Sequence, residues 1–333
     1  MQGAVPRGRL CVMVRVPAKL NLFLAIRGLR PDGYHEVVTV LQTVSLFDRM
    51  RFTIAGPPGQ GHHPAARRRM RMLLTHDGGP DVPVDQDNLA IRAARALGHV
   101  TKVLDLDIVD EEEARKAREP GSAPVTVMQL QKRIPVAGGM AGGSADAAAA
   151  LVGLNELWGC HLSRPNLKAI GSTLGTDVPF CCMGGTQLGT GRGTTLAHVM
   201  CKGLYWWVVC IAGFPLPTAD VYREWDRGCE PNRALPHAIL AALGAHDPEA
   251  LGAALHNDLE AAAFALRPEL ADAKRLLVDG GALGAVLSGS GPTMLALCDS
   301  EQAARTLAGS VADHFRTVKV ACSPAGGPEV THC

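Results

Sequence analysis

Several features that mark other functional classes are scarce or missing from this chain. Aromatic residues make up only 4% of it, and 33 basic residues nearly cancel 32 acidic ones, which leaves a net charge of +1. A nearly neutral chain has no overall field that attracts nucleic acid or an anionic membrane. We therefore expect neither a nucleic-acid partner nor a membrane partner.

Two further absences bear on location and on metal sites. The ten cysteines include no C-x-x-C pair, the spacing that is typical of zinc ribbons and thioredoxin-like sites. The chain also lacks a run of about 18 apolar residues, and its first residues, MQGAVPRGRL, lack the apolar segment of a secretory signal. We expect a cytoplasmic protein with its cysteines as small core residues, and a monomer or weak homodimer.

Two nucleotide-binding signatures are missing as well. The chain contains no Gly-Lys dipeptide, which excludes the P-loop sequence G-x-x-x-x-G-K-[ST]. It also lacks a strict G-x-G-x-x-G fingerprint, which weakens the hypothesis of an oxidoreductase that binds NAD through a glycine loop.

The most informative stretch that is present reads PVAGGMAGGSADAAAA, over residues 135–150, after a predicted strand at 125–134. A strand, a glycine-rich loop and a helix together form a phosphate-binding arrangement. Glycines let the backbone approach an anion, and the N–H groups of the first helical turn point toward it. The alternative is a tight crossover that packs against an alanine-rich helix and binds nothing.

Three other segments change the balance between these alternatives. PAKLNL at 17–22 places Lys19 and Asn21 on one face of a strand, GTDVPF at 175–180 places Asp177 just past a helix end, and SGSGPT at 288–293 forms a second glycine turn. Taken singly, Lys19 is a surface lysine and Asp177 a turn aspartate. In this order, with the glycine loop, the segments resemble the GHMP family of small-molecule kinases over roughly residues 11–325.

The resemblance implies an α+β fold of two domains with the active site in the cleft between them. The first, over residues 1–199, is expected to be a ribosomal-protein S5 domain 2-like unit that binds ATP and carries the catalytic residues. The second, over residues 200–333, is expected to be ferredoxin-like. ATP is the implied co-substrate, with Mg²⁺, for which Ser144 is the candidate protein ligand.

The resemblance also implies individual roles. Asp177 would orient the substrate hydroxyl and accept its proton, while Lys19 would keep Asp177 ionised and offset charge on the reacting oxygens. Asn21 would bind the substrate or fix Lys19. ATP would be bound by the glycine loop and one helix-start asparagine: Pro135, Val136, Ala137, Gly138, Gly139, Met140, Ala141, Gly142, Gly143, Ser144, Ala145 and Asn88.

The substrate is indicated by the opening segment PAKLNLFLAIRGLRPDGYHEVVTVLQTVSLFD. It closely resembles the branch of the family that phosphorylates a cytidine diphosphate-bearing alcohol for non-mevalonate isoprenoid synthesis. Tyr34, His35 and Tyr222 would then hold the cytidine end. A GHMP kinase for mevalonate or homoserine remains an alternative, as does a non-catalytic nucleotide-binding regulator on the same scaffold.

Other segments are predicted to have a structural role only. Residues 11–26 are expected to form a strand that is interrupted at Pro17, and residues 37–47 and 51–54 two more. The charged residues 106–124 are predicted to be an exposed excursion, and the arginines at 67–71 a solvated edge.

Overall fold

The fold is built around two sheets in the computed structural model, which describes residues 11–56, 69–101 and 105–333. The strands are β1 (Cys11–Leu29), β2 (His35–Ala55), β3 (Arg69–His76), β4 (Asp105–Ile108), β5 (Val125–Gln131), β6 (Thr186–Gly191), β7 (Thr195–His198), β8 (Tyr205–Ile211), β9 (His256–Asn257), β10 (Gly284–Leu287), β11 (Met294–Cys298), β12 (Thr317–Ser323) and β13 (Glu329–His332). The helices are α1 (Leu89–Val100), α2 (Glu111–Lys116), α3 (Gly142–Leu157), α4 (Arg164–Gly171), α5 (Val178–Met183), α6 (Thr218–Gly228), α7 (His237–Ala245), α8 (Pro248–Ala254), α9 (Glu260–Leu266), α10 (Glu269–Asp279) and α11 (Glu301–Ser310).

The larger sheet has the central order β13-β1-β2-β5-β3-β4, with β6 and β7 added beside β2 and β9 beside β1. Its centre is the long antiparallel pair β1 and β2, joined by a turn that includes residues 31–34. The predicted break at Pro17 is instead a register shift between Pro17 and Ala18, because proline has no N–H to donate to the ladder. The two strands predicted at 37–47 and 51–54 are one continuous strand, β2.

The smaller sheet has the order β10-β11-β8-β12, and all its pairs are antiparallel. In chain order the four strands are β8, β10, β11 and β12. In the sheet, therefore, the third and second strands lie on one side of the first strand, and the fourth lies on its other side. Helices connect the first strand to the second and the third to the fourth, which gives the β-α-β-β-α-β arrangement of a ferredoxin-like unit. The fold prediction for this part of the chain is confirmed.

The alanine run of α3 lies at the centre of the larger core. Ala147, Leu151, Leu154 and Trp158 are buried, and the intervening alanines are buried too, because α3 packs against β1, β2, α1 and α5. A Cβ on Gly153 would lie within 2.6 Å of three ring atoms of Phe52. Small side chains on α3 therefore allow the helix to lie directly on the sheet.

The charged excursion predicted at 106–124 is wrong in part. Strand β4 pairs in parallel with β3, and helix α2 buries Ala114 against Ala55 and Val125. The helix is stabilised by a capping box in which the side chain of Asp110 accepts from the N–H of Glu113, at 2.8 Å. Of the arginine run, Arg67 and Arg68 lie outside the described residues, while Arg71 pairs with Glu113 at 2.9 Å.

The expectation that the cysteines are small core residues holds for Cys181, Cys182, Cys210 and Cys298, which are buried. It is wrong for the pair formed by Cys11 and Cys333, which are joined by a disulfide. Pairing of β13 with β1 brings Cys11 and Cys333 together, and the N–H of Cys333 donates to the carbonyl of Cys11 at 3.1 Å. In the described ranges, no helix has the length and apolar character needed to cross a membrane.

Candidate active site

A cavity of about 960 Å³ opens between elements of the two sheets. One wall is formed by β1, the turn that follows it, the glycine loop and the start of α5. The opposite wall is formed by the start of α6 and the second glycine turn. The cavity therefore lies in the cleft where the sequence predicts the active site.

Lys19 and Asn21 point from β1 into this cavity, although both are almost fully buried. Nζ of Lys19 donates to Oδ1 of Asn21 at 2.5 Å, and Nδ2 of Asn21 donates to Oγ1 of Thr39 at 2.9 Å. The period of two in the strand predicts this shared face. The hydrogen bonds fix the ammonium group in one position.

Asp177 faces the same ammonium group from the start of α5. Its Oδ2 lies 3.9 Å from Nζ of Lys19, and 34% of its side chain remains exposed. Although Asp177 occupies the residue before the helix, its side chain makes no capping hydrogen bond. The carboxylate is therefore free of the structural role that is usual for an aspartate at this position.

The glycine loop is attached to β1 beside the lysine, since the N–H of Lys19 donates to the carbonyl of Met140 at 3.2 Å. Helix α3 begins directly after the loop, and its first hydrogen bond runs from the N–H of Ala145 to the carbonyl of Ala141, at 2.9 Å. The N–H groups of Gly142, Gly143 and Ser144 precede that bond and have no partner within the helix. They lie where the sequence predicts that an anion binds.

The second glycine turn packs on the glycine loop. Oγ of Ser288 donates to the carbonyl of Gly139 at 3.1 Å. Gly139 has a φ of +72°, and a Cβ there would overlap the carbonyl oxygen of Ser288. A Cβ on Gly289 would lie 3.3 Å from Nζ of Lys19, so this turn also approaches the catalytic candidates.

A buried ionic cluster, which the sequence does not signal, holds both ends of the glycine loop. The ammonium group of Lys132 contacts the carboxylates of Asp48 and, at 2.8 Å, Asp146. Asp48 also accepts from the N–H groups of Arg133 and Ile134 just before the loop, and Asp146 is the fifth residue of α3, which begins just after the loop. Burial raises the pKa of Asp146 to about 7, and the charge of Lys132 only partly offsets it.

The nucleoside-binding candidates gather at the other end of the cavity. The ring of His35 lies 4.7 Å from that of Tyr222 and 5.5 Å from that of Trp225. Its Nε2 atom bonds Oδ1 of Asp226 at 2.7 Å. Burial raises the pKa of Tyr222 to about 12, and the negative charge of Asp177 adds to the effect.

Most of the predicted site residues line the cavity, and five do not. Those that line it are Lys19, Asn21, Tyr34, His35, Ala137, Gly138, Gly139, Ala141, Gly142, Gly143, Ser144, Asp177 and Tyr222. Those that do not are Pro135, Val136, Met140, Ala145 and Asn88. Asn88 is buried and caps α1, because its Oδ1 accepts from the N–H of Ala90 at 2.8 Å and its Nδ2 donates to the carbonyl of Pro83 at 2.7 Å.

Several polar lining residues are not among the predicted site residues, including Arg192, Thr218, Asp226 and Ser290. A 2.7 Å contact between the hydroxyl groups of Thr218 and Ser290 joins the start of α6 to the second glycine turn within one wall of the cavity. Arg192 places its guanidinium carbon 3.5 Å from the centroid of the Tyr34 ring. A charged residue between two glycines, in GTGRG, is the one signal in the sequence that points to a special position for Arg192.

The side chains that line the cavity supply few ligands for a metal ion. Among the described residues, no three His, Cys, Asp or Glu side chains are grouped so that they could hold one. The hydroxyl group of Ser144 is available at the start of α3. This donor set suits Mg²⁺ that is held mainly by phosphate oxygens and water, with few protein ligands.

Comparison with known proteins gives a consistent result. Residues 88–185 match the GHMP kinase N-terminal domain and residues 239–317 the GHMP kinase C-terminal domain. A 4-diphosphocytidyl-2-C-methyl-D-erythritol kinase of Nocardia farcinica is 42% identical over 325 residues, which cover 96% of both chains. The enzyme of that name from Mycobacterium tuberculosis is 41% identical over 332 residues, 98% of this chain and 94% of that one.

Solved structures agree with this assignment. A crystal structure of 4-(cytidine 5'-diphospho)-2C-methyl-D-erythritol kinase has a TM-score of 0.72 and 30% identity, and covers 94% of this chain and 100% of that one. A homoserine kinase from Cytophaga hutchinsonii has a TM-score of 0.69 at 18% identity, with 99% of each chain covered, which shows a shared fold. The chain belongs to the GHMP kinase family and, within it, to the family of 4-diphosphocytidyl-2-C-methyl-D-erythritol kinases.

Proposed function

We propose that the protein transfers the γ-phosphoryl group of ATP to the 2-hydroxyl group of 4-diphosphocytidyl-2-C-methyl-D-erythritol, in the non-mevalonate isoprenoid pathway. The observation that carries this proposal is the facing pair of Lys19 and Asp177, 3.9 Å apart in a cavity that the glycine loop also lines. Phosphoryl transfer needs a base for the attacking hydroxyl, a cation near the reacting oxygens and a cradle for phosphate. The three lie together here.

In the proposed reaction the substrate oxygen attacks the γ-phosphorus, and the bond from that phosphorus to the β,γ-bridging oxygen breaks. The hydroxyl proton passes to Asp177, and ADP leaves. General-base catalysis of this kind contributes roughly 10²- to 10⁴-fold. Lys19, fixed by Asn21, offsets negative charge as it develops on the reacting oxygens.

ATP is proposed to lie with its phosphates over the glycine loop and the N–H groups of Gly142, Gly143 and Ser144. When bound, Mg²⁺ would neutralise phosphate charge, with the hydroxyl oxygen of Ser144 as the proposed protein ligand. The buried cluster of Asp48, Lys132 and Asp146 holds the segments at both ends of the loop, which keeps these N–H groups in place. Asn88 is proposed to act on ATP only through its capped helix, since both ends of its amide are engaged.

The cytidine end is proposed to bind beside Tyr34, His35 and Tyr222. Tyr34 is 49% exposed and available for stacking, while the ring of His35 is held between Tyr222, Trp225 and Asp226. An aromatic wall next to a fixed imidazole suits a planar base with hydrogen-bonding edges. Mevalonate and homoserine offer no such group.

The remaining expectations are kept as proposals. We propose residues 1–199 as the ATP-binding and catalytic domain and residues 200–333 as the second domain, with β9 and β13 returning to the first sheet. We also propose a cytoplasmic monomer or weak homodimer. Light scattering of the purified chain and thiol titration without reductant test the oligomeric state and the oxidation of Cys11 and Cys333.

The test of function is a coupled assay of ADP release with four potential acceptors. These are 4-diphosphocytidyl-2-C-methyl-D-erythritol, mevalonate, homoserine and water. We expect turnover with the cytidylyl compound that exceeds turnover with each of the others by at least about 10³-fold, because buried polar groups of the site stay unpaired with the wrong acceptor. Turnover of mevalonate or homoserine alone contradicts the substrate assignment, and no turnover with any acceptor contradicts the kinase.

A further inference from the structure

Arg192 lies in the turn between β6 and β7, flanked by Gly191 and Gly193, which have φ angles of +71° and +84°. The register of β6 with β2 pairs Gly191 with Val37, two residues after His35. This brings the turn against the start of β2 and the guanidinium group over Tyr34. Arg192 therefore stands at the nucleoside end of the cavity.

The pairing of the cavity's cations singles out Arg192. Among the described residues that line the cavity, the cationic side chains are Lys19, Arg192 and Arg223. Lys19 is engaged with Asn21 and Asp177, and Arg223 pairs with Asp220 at 2.9 Å. Within the described parts of the chain, no carboxylate lies within 4.0 Å of Arg192 and no hydrogen bond is formed by it.

One donor of Arg192 is also out of reach of bulk water. Its Nε atom is buried and has no hydrogen-bond partner among the described residues. A buried N–H group of a cation that makes no hydrogen bond is costly, and such groups in native structures normally have a partner. Arg192 also lines the cavity, so a ligand bound there meets the rest of its guanidinium group.

We propose that Arg192 binds the diphosphate group of the substrate and makes the site selective for a nucleoside diphosphate ester over a nucleoside. This proposal rests on the proposed function. A base that stacks beside Tyr34 places its ribose and diphosphate within the reach of a side chain that lies on the same ring. A guanidinium group suits this position, because its plane stacks on an aromatic face while its fork of N–H groups binds phosphate.

Two other ligand groups compete for the same donors, and they predict different results. If Arg192 bound the carbonyl group of the base, its loss would weaken cytidine and cytidine diphosphate equally. If it bound the phosphates of ATP, its loss would weaken ADP. The proposal requires a loss that is confined to the phosphorylated cytidine compounds.

The test is calorimetric titration of the full chain with cytidine, cytidine monophosphate, cytidine diphosphate and ADP, in the wild type and in the Arg192→Met and Arg192→Lys variants. In Arg192→Met we expect the Kd for cytidine diphosphate to rise roughly 10- to 100-fold, the size of a lost charge-assisted contact. The Kd values for cytidine and ADP should change less than about threefold. Arg192→Lys keeps the charge and should lose less. Arg223→Met, which removes a paired cation from the same cavity, is the matched control.

The outcomes separate this proposal from the proposed function. If the wild type binds cytidine diphosphate and Arg192→Met binds it equally well, Arg192 has no such role. An equal loss for cytidine and cytidine diphosphate overturns the assignment too, because it assigns Arg192 to the base or to the support of Tyr34. If the wild type binds ADP but no cytidine compound, the substrate assignment itself fails and this proposal fails with it. Unchanged thermal unfolding of the variants excludes misfolding as the cause of a loss.

Discussion

Nζ of Lys19 lies 3.9 Å from Oδ2 of Asp177, and the lysine is almost fully buried while the aspartate remains one-third exposed. Asn21 fixes the cation through a hydrogen bond, and the carboxylate of Asp177 accepts no hydrogen bond among the described residues. Because the carboxylate faces a buried cation and is still one-third exposed, one side of it is accessible to a substrate. The predictions below begin from this pair.

Replacing the carboxylate should remove the base without removing the site. Asp177→Asn keeps the size of the side chain but cannot accept the hydroxyl proton, so we expect kcat to fall by roughly 10²- to 10⁴-fold. The KM for ATP should change little. Steady-state kinetics at saturating ATP measures both, and Asp220→Asn, on the exposed face of α6, is the control. Survival of more than a tenth of wild-type kcat in Asp177→Asn contradicts the general-base role.

The close approach of the glycine loop to the second glycine turn should make Gly139 intolerant of substitution. Gly139→Ala introduces a Cβ that overlaps the carbonyl oxygen of Ser288, and the φ of +72° adds about 1–2 kcal/mol for an L-residue. We expect a raised KM for ATP and a loss of unfolding free energy above that φ cost. Gly281→Ala is matched to it, with a φ of +97° and no atom within 4 Å of the added Cβ. Equal losses in both variants would mean that the close approach has no consequence.

The buried cluster under the glycine loop should give stability a pH dependence. The pKa of Asp146 is raised to about 7 from 3.8. The native state therefore retains a proton that the unfolded chain releases between about pH 4 and pH 7, so this group's contribution to the unfolding free energy falls as pH rises through that window. Asp146→Asn cannot release the proton and should show a shallower decline.

Urea unfolding at several pH values across this window measures the decline. Asp77→Asn is the control, because hydrogen bonds from Lys132 and Arg133 outweigh partial desolvation and lower the pKa of Asp77. The stability contribution of Asp77 is lost only as pH falls through that lowered pKa, so its removal leaves the decline above pH 4 in place. Parallel curves for the wild type and Asp146→Asn would exclude titration of Asp146 in this range.

Packing of α3 on the sheet should make Gly153 sensitive to a single methyl group. Gly153→Ala forces the added Cβ into the ring of Phe52, and overpacking of this kind costs about 1–3 kcal/mol. In Gly309→Ala, on α11, the added Cβ meets no atom within 4 Å, so better helix propensity should stabilise the protein by up to about 1 kcal/mol. Urea unfolding compares the two. A gain in stability for Gly153→Ala would contradict the described packing.

The sequence predicts those parts of the site that depend on local pattern. Period two on β1 predicts the shared face of Lys19 and Asn21, and the change from glycine to alanine predicts the loop and α3. The ordered motifs predict that Asp177 and the second glycine turn belong with them. Each of these signals lies within one short segment, where the local period and turn chemistry decide the structure.

Contacts between distant segments could not be predicted in this way. The Lys132 ammonium lies between Asp48 and Asp146, on three different elements, and nothing in their local sequences signals the meeting. Arg192 reaches Tyr34 only because β6 pairs with β2. Helix α6, which the sequence analysis did not find, is amphipathic but short, and it buries only Val221 and Trp225.

The most direct test of the central proposal is ³¹P NMR of the products that the full chain forms from ATP and 4-diphosphocytidyl-2-C-methyl-D-erythritol. The proposal predicts ADP and one new phosphomonoester signal in equal amounts, with the diphosphate signals of the cytidylyl compound intact. Asp177→Asn should form the same product at a rate at least about 10²-fold lower. Cleavage of the diphosphate, or unchanged ATP and substrate under conditions where mevalonate or homoserine is phosphorylated, would contradict the account.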